Sequence, residues 1–407
     1  MAEALSHIRV LDMTRYLAGP WATQMLGDMG AEIIKVERPN EGDVVRTFGP
    51  PFPKDKHGQE CKESTFFLGM NRGKKSVTLD IATPEGQDII RKLAANCDVL
   101  IENYIVGTLQ RYGLGYDDIK AIKPDIIYCS ITGYGQDGPY RDRAGFDPII
   151  QAMSGLMSIN GVPDGEPGGG PLKTGIAIAD IMTGMNAAIA ILGALNYRSV
   201  SGQGQFIDMA LLDVMVAALT SENMKYLLLG EIPQRLGRVS RNLAPTQPFQ
   251  CKDGILSLAI ANDAQFAKFM NIMGRPETAR DEKFAKNAAR KRNRLELVAM
   301  LEAIFLTRPV SEWVELIAST GIPCGTVNNI KAVFDDPQVK HRGMRIELEH
   351  SQLGTTPAVA NPIRYSATPI KYKSAAPLLG QHTREVLRDL AHIEDEQFER
   401  LAKKGVV

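Results

Sequence analysis

Five short β-rich runs, at residues 8–12, 32–37, 76–80, 98–102 and 126–131, divide the first 135 residues of this chain, and helical patterns fill the gaps between them. One helix is sharply marked. Thr83 offers a cap, Pro84 a first-turn proline and Glu85 an early acid, and Ile89, Ile90, Leu93 and Ala94 then share one apolar face. Repeated βα units imply a mostly parallel sheet covered by helices, an α/β fold. Ligands of such sheets gather beyond the carboxyl ends of the strands. That directs attention to the loops at residues 14–20, 38–40, 103–104 and 133–136.

At 407 residues the chain is long for one compact core, so two domains are expected. Composition changes after Arg198, where a turn leads to a strand and helix over 207–228 and then to a polar stretch over 230–250. A further strand at 255–260 precedes several helices, one starting at Pro309 and ending near Gly321. The charge-dense residues 290–294 read as solvated surface. Lys+Arg and Asp+Glu both number 47, so no overall basic field is available to hold a nucleic acid. The five cysteines are widely spaced and form no CxxC pair, which fits reduced cytosolic thiols. The first residues lack a basic region followed by an apolar block, so no signal peptide is expected and the location is read as cytoplasmic.

A glycine-rich run, Gly168-Gly169-Gly170-Pro171-Leu172-Lys173-Thr174-Gly175, leads to Ala179-Asp180-Ile181-Met182-Thr183-Gly184 and a long apolar segment. Glycine lets backbone approach a ligand closely. Asp180 falls where a helix begins, and there it is either the cap of that helix or a reactive carboxylate. The segment over 176–195 has nearly the composition of a membrane span, but it carries Asp180 and Asn186 and lacks flanking aromatics. It reads as a buried helix at a domain or subunit contact, with no membrane partner.

Several chemistries are not signalled. The first βα turn carries Ala18-Gly19-Pro20 instead of GxGxxG, against a nicotinamide site. The six histidines form no HxxxH or HExxH pair, and GxSxG is absent. No metal site is expected, and carboxylates remain as the default reactive groups. Lys35, Arg38, Arg72, Lys74, Lys75 and Arg111 stand at or near strand ends on one expected side of the sheet. Each alone reads as surface charge; together they suit the phosphates of an adenosine diphosphate moiety such as that of coenzyme A.

The ordered set Leu17-Ala18-Gly19-Pro20, Ile34-Lys35-Val36-Glu37-Arg38, Glu102-Asn103-Tyr104, Gly133-Tyr134-Gly135, Gly138-Pro139-Tyr140 and Pro377-Leu378-Leu379-Gly380-Gln381-His382 resembles the class III coenzyme A transferases. That is the family of formyl-CoA transferase and carnitine CoA-transferase. The resemblance implies an interlocked homodimer with a large Rossmann-like domain (1–215), a smaller α/β domain with linkers (216–330) and a C-terminal return to the large domain (331–407). It implies that Asp180 is the catalytic nucleophile, through an aspartyl-CoA thioester, with backbone N–H groups of the glycine run stabilising each oxyanion. It places CoA contacts on Tyr16, Leu17, Ala18, Arg38, Lys74, Asn103, Tyr104, Arg111, Tyr112 and Arg143. The CoA thioester is then a substrate, with no permanently bound cofactor.

Leu17 stands where formyl-CoA transferase carries glutamine, which counts against an oxalate-type acceptor. The stretch from Gly237 to Pro245 is more like the branch that handles dicarboxylates such as glutarate with succinyl-CoA as donor. Arg238 or Arg241 is the candidate for pairing with a distal carboxylate. The same superfamily includes α-methylacyl-CoA racemases, whose motif reads G-H-D; this chain has Gly145-Phe146-Asp147, without the histidine base. A racemase and a non-enzymatic CoA-binding protein are the alternative readings.

Overall fold

Leu11 pairs with Ile34 on one side and Leu100 on the other, which puts the first β-rich run at the middle of a sheet. The structure is a computed structural model and describes residues 3–407. Strands β1 (Arg9–Met13), β2 (Glu32–Glu37), β3 (Lys75–Thr78), β4 (Val99–Glu102), β5 (Ile127–Thr132) and β6 (Gln205–Ala210) form one six-stranded sheet. Their order is β3-β2-β1-β4-β5-β6 and every pairing is parallel. The five expected strands and their alternation with helices are therefore present.

Side chains alternate across each strand, so the sheet carries a core on both faces. On one face Leu11, Ile34, Val77 and Leu100 pack with Ile89, Ile90 and Leu93 of helix α2 (Pro84–Ala95) and with Val386 and Leu387 near the C-terminus. The Thr83 hydroxyl caps α2 by accepting the Gly86 N–H at 3.1 Å. On the other face Val10, Ile33, Val99 and Ile127 pack with helix α1 (Ala18–Asp28) and with helix α4 (Ile178–Ser201). Each fully buried Leu, Ile or Val of these clusters contributes roughly 1.5–3 kcal/mol.

Helix α4 is only half as expected. Ala179, Thr183, Gly184, Ala187, Ala188, Ile191 and Ala194 are buried along one stripe, but Ile189 and Val200 on the other side are 64% and 86% exposed. Its length and mean hydropathy match those of a membrane span, and its small residues are what let it lie on α1. Gly184 is the point of closest approach. A Cβ there would meet the Ala18 carbonyl oxygen at 2.4 Å and Trp21 at 3.2 Å. The glycine four residues after Asp180 is thus a packing requirement.

The domain boundaries differ from those expected at 215 and 330. One compact unit comprises residues 1–156, 174–231 and 340–407, and the other comprises 157–173 and 232–339. The reason is local. The glycine-rich run forms a two-stranded hairpin (Gly161–Val162 with Gly170–Pro171). That hairpin is tied to the 232–240 stretch, since the Gly237 N–H donates to the Gly161 carbonyl at 3.0 Å and Arg235 donates to the Val162 carbonyl at 3.2 Å.

The second unit has a three-stranded antiparallel sheet, Cys324–Thr326 beside Ile255–Ala259 beside Thr246–Gln250. Phe249, Phe266, Phe269, Phe305 and Trp313 fill its core. One charged residue expected at the surface lies inside it. Arg290 is fully buried and stacks over Phe266. It donates to the Ala244 and Phe284 carbonyls at 2.6 and 2.9 Å and to Asp263 at 2.9 Å.

Replacing Gly184 by Ala forces the added methyl onto a backbone oxygen. The G184A protein is expected to lose about 1–3 kcal/mol of stability, read as a lowered urea midpoint with an unchanged m-value.

Candidate active site

The strand order turns around between β1 and β4, the crevice where open α/β sheets take their ligands. The loops leaving these two strands are locked together across it. The Asn103 Oδ1 accepts the Arg15 N–H at 2.9 Å, and its Nδ2 donates to the Arg15 carbonyl at 2.7 Å. The Arg15 guanidinium lies over the Tyr104 ring, 4.7 Å from its centroid. Glu102, at the buried end of β4, accepts the Tyr104 N–H at 2.7 Å. Burial pushes the Glu102 carboxyl up to about 7, with the Ser130 hydroxyl and that N–H opposing.

Two cavities open on this crevice and share Arg15 and Tyr104 as their common wall. The outer one, of about 770 Å³, is lined by Arg38, Asn40, Asp43 and Tyr112. The inner one, of about 260 Å³, holds Asp180 together with Tyr16, Ala18, Arg141, Arg143 and Phe146.

Asp180 is in the first turn of α4, but it does not cap it. The N-cap position is Ala177, with no side-chain hydrogen bond. The acceptor for this helix start comes from the neighbouring helix α3 (Asp147–Met153). Asp147 Oδ1 accepts the Ala179 N–H at 2.7 Å and the Asp180 N–H at 3.4 Å. Its Oδ2 accepts from Gln151 at 2.6 Å, and Gln151 in turn accepts the Thr174 N–H at 2.9 Å. Free N–H donors at a helix start favour a carboxylate there, and Asp147 supplies it. The Asp180 carboxylate forms no ion pair among the described residues, and it faces the inner cavity. Burial pushes it up to about 7, and the neighbouring Asp147 charge adds to the shift. A half-buried, unpaired carboxylate in a cavity, poised to exchange its ionisation state near neutrality, is an available nucleophile.

The residues expected to contact CoA divide sharply. Tyr16, Ala18, Asn103, Tyr104 and Arg143 line the inner cavity, and Arg38, Tyr104 and Tyr112 the outer one. Three do not line either. Leu17 is buried beneath the first turn. Arg111 is exposed, beside Tyr112 of the outer cavity but not itself lining it. Lys74 is wholly buried, its ammonium on Asp12 at 3.1 Å, Asn71 at 2.9 Å and the Pro20 carbonyl at 3.0 Å. Burial pulls it down to about 8 even against the nearby Asp12 carboxylate.

Three of the six clustered cations, Lys35, Arg72 and Lys74, are buried. Lys35 is buried on Asp43 at 2.9 Å, Arg72 is held by Asp28, and Lys75 pairs with Glu32 and Glu385. Arg238 pairs with Glu302 at 3.0 Å and Arg241 donates to the Gln234 carbonyl, both within the second unit. In the hairpin formed by the glycine run, the Gly169 N–H is already engaged with the Glu166 carbonyl at 2.8 Å. Among the described residues, no cluster of three or more His, Cys, Asp or Glu side chains is arranged to hold a metal.

Sequence reasoning missed Arg15, Arg141 and Asp147. Arg15 was within a loop singled out by the βα pattern. Asp147 was in view only as the neighbour of a missing histidine. The Phe146 position lines the inner cavity and packs edge-on against Tyr16 at 5.6 Å, so a hydrocarbon ring occupies it.

The chain matches the family model described as CoA-transferase family III over residues 5–383. It is 44% identical over 390 residues to the succinate–glutarate CoA-transferase of Agrobacterium fabrum, covering 96% of each chain. It is also 44% identical over 405 residues to the succinyl-CoA:glutarate CoA-transferase of Mus musculus, covering 100% of this chain and 90% of that one. Among solved structures, a CAIB/BAIF family protein from Brucella suis superposes with a TM-score of 0.86 at 42% identity, covering 96% of this chain and 100% of that chain.

The Asp180 carboxyl is expected to titrate near pH 7, as seen by carbon-13 NMR of aspartate-labelled protein. Because the Asp147 charge opposes ionisation of Asp180, D147N is expected to move that midpoint down. A midpoint near the ordinary aspartate value in the unmodified protein would contradict the assigned surroundings.

Proposed function

The chain belongs to CoA-transferase family III and is a CoA-transferase, and we propose that it carries CoA from succinyl-CoA to a short dicarboxylic acid of the glutarate class through Asp180. The observation that carries this reading is the unpaired Asp180 carboxylate in a small cavity at the sheet's crevice, which shares Arg15 and Tyr104 with a larger cavity lined by Arg38 and Tyr112. The names of the relatives from Agrobacterium fabrum and Mus musculus supply the donor and acceptor class. The outer cavity suits the nucleotide end of CoA, and the inner one the acyl end.

The chemistry needs one nucleophilic carboxylate. An Asp180 oxygen attacks the thioester carbonyl, the C–S bond breaks, and a mixed anhydride forms with release of the CoA thiolate. The thiolate then attacks the Asp180 acyl carbon; the donor acid leaves as its carboxylate, and an aspartyl-CoA thioester remains. The acceptor carboxylate attacks that thioester and expels the thiolate, giving a second anhydride. Attack of the thiolate on the acceptor's acyl carbon yields the new acyl-CoA and restores the Asp180 carboxylate. Each step exchanges one acyl bond for another, so no net proton or electron is needed, and one hard exchange becomes several easier ones. Asp147 holds the start of α4 in place while the charge on Asp180 comes and goes. The ring of Phe146 in the cavity supports transfer over α-proton exchange, because a phenyl group accepts no proton.

The assembly proposed is the interlocked homodimer. The helix Ser221–Leu229 buries none of its residues within the chain, and Leu228 on it is 73% exposed, as Val200 on α4 is 86% exposed. Apolar area of this kind supports a second copy as its cover. Light scattering is expected to give twice the 44.6 kDa chain mass; a stable monomer would remove the homodimer from the reading.

D180A and D180N are expected to lose transfer activity by about a thousandfold or more with unchanged thermal unfolding. Succinyl-CoA plus hydroxylamine should convert Asp180 to a hydroxamate, found by peptide mass spectrometry. Undiminished transfer in D180A would refute the mechanism.

A further inference from the structure

We propose that Arg141 is the specificity-determining residue that receives the distal carboxylate of the acyl chain, on both the donor and the acceptor. This deepens the dicarboxylate reading given above and rests on it. Three arginines line the inner cavity: Arg15, Arg141 and Arg143.

Two of them are committed. Arg15 also lines the outer cavity and lies over Tyr104, with its backbone held on both sides by Asn103. That places it at the junction, where the chain of CoA passes. Arg143 stacks on the Tyr140 ring, 4.0 Å from its centroid. Arg141 has only a long 3.4 Å contact with its sequence neighbour Asp142, whose side chain is 80% exposed. Such a surface pair contributes little and is readily exchanged. Arg141 lines the inner cavity alone, not the outer one.

The cavity wall therefore carries two chemically distinct groups. Asp180 forms no ion pair with any arginine, and the charge bearing on it is that of Asp147. The reacting carbonyl belongs at Asp180, and the Arg141 guanidinium, with no strong partner, lines the same cavity. At about 260 Å³ the cavity lies below the ~300–1,000 Å³ usual for larger ligands, so a short chain spans it. A planar guanidinium takes a carboxylate through two parallel N–H···O bonds, which an acyl chain ending in a methyl group cannot form. The arginines suggested by the sequence, Arg238 and Arg241, have partners of their own in the second unit.

The test compares glutarate with pentanoate as acceptors, at fixed succinyl-CoA, in the full-length enzyme and in R141Q, R141K and R238Q. The two acids differ only in the distal carboxylate, so the ratio of their kcat/KM values cancels effects on the donor. In R141Q the ratio is expected to fall about 100-fold, through a raised KM for glutarate, with pentanoate kcat/KM unchanged. R141K should recover part of the ratio, and R238Q should leave it as it was. An unchanged ratio in R141Q, or an equal loss for both acids, overturns the assignment while leaving the dicarboxylate reading intact. An unmodified enzyme that does not prefer glutarate overturns both.

Discussion

A buried carboxylate at the end of the central strand holds the rest of the binding face in register. Asp12 accepts from the Thr14 N–H at 2.9 Å, the Thr23 hydroxyl at 2.6 Å and the Lys74 ammonium at 3.1 Å. Burial pushes its carboxyl up, but Lys74, Lys35 and the two hydroxyls outweigh that and hold it down at about 2. Lys35 extends the arrangement, donating to the Thr14 carbonyl at 2.8 Å and to Asp43 at 2.9 Å. Asp43 accepts the N–H of Tyr16, whose φ of 65° is a conformation that bulky residues rarely hold unaided. Gly19 fits the same logic, because a Cβ there would meet the Thr14 side chain at 2.3 Å. Buried ion pairs add little net stability, although removing one partner costs ~3–5 kcal/mol. What these pairs supply is position: the ends of β1 and β2 and the starts of β3 and α1 are tied to one another, and the cavity walls follow.

On the proposed mechanism, the placement of Asp147 beside Asp180 answers a conflict built into the chemistry. A carboxylate that must attack, and later leave, works badly when it is held in a strong ion pair. A carboxylate left alone at a helix start would be drawn onto the free N–H groups there. Asp147 occupies those donors from outside the helix, leaving the Asp180 side chain free for the cavity. The same arrangement sets a like charge nearby and so weakens the hold on the ionised form. Gln151 and Thr174 anchor Asp147 in turn, which keeps the second carboxylate from taking the first one's place.

The sheet was legible because its strands are short apolar runs at regular spacing, and the Thr83 cap because it is a local hydrogen bond. The loops at the carboxyl ends of the strands followed from strand alternation alone, whereas the crevice between β1 and β4 depends on a strand order that alternation does not carry. Cations were harder to read. Lys35, Lys74 and Arg290 are indistinguishable in sequence from surface charges, and their carboxylate and carbonyl partners lie up to dozens of residues away. For Asp180 the residue type and the helix start were visible, but capping and reactive roles have the same local signature. Only Asp147, 33 residues earlier and on another helix, shows that Asp180 is not the cap. Arg15 and Arg141 share that difficulty, since a cavity wall is assembled from loops that sequence spacing does not bring together.

Helix α4 shows why composition alone misleads about surroundings. Its apolar average combines two unlike faces. The stripe bearing Ala179, Gly184, Ala187 and Ala188 is made of small residues because α1 lies directly upon it, and that closeness fixes Asp180 relative to the first βα turn. The opposite side carries Ile189 and Val200 in the open. A bilayer would not call for the aspartate in the first turn, and a second protein surface would cover the exposed side without disturbing the buried one. Asp180 is then anchored by a contact internal to one chain.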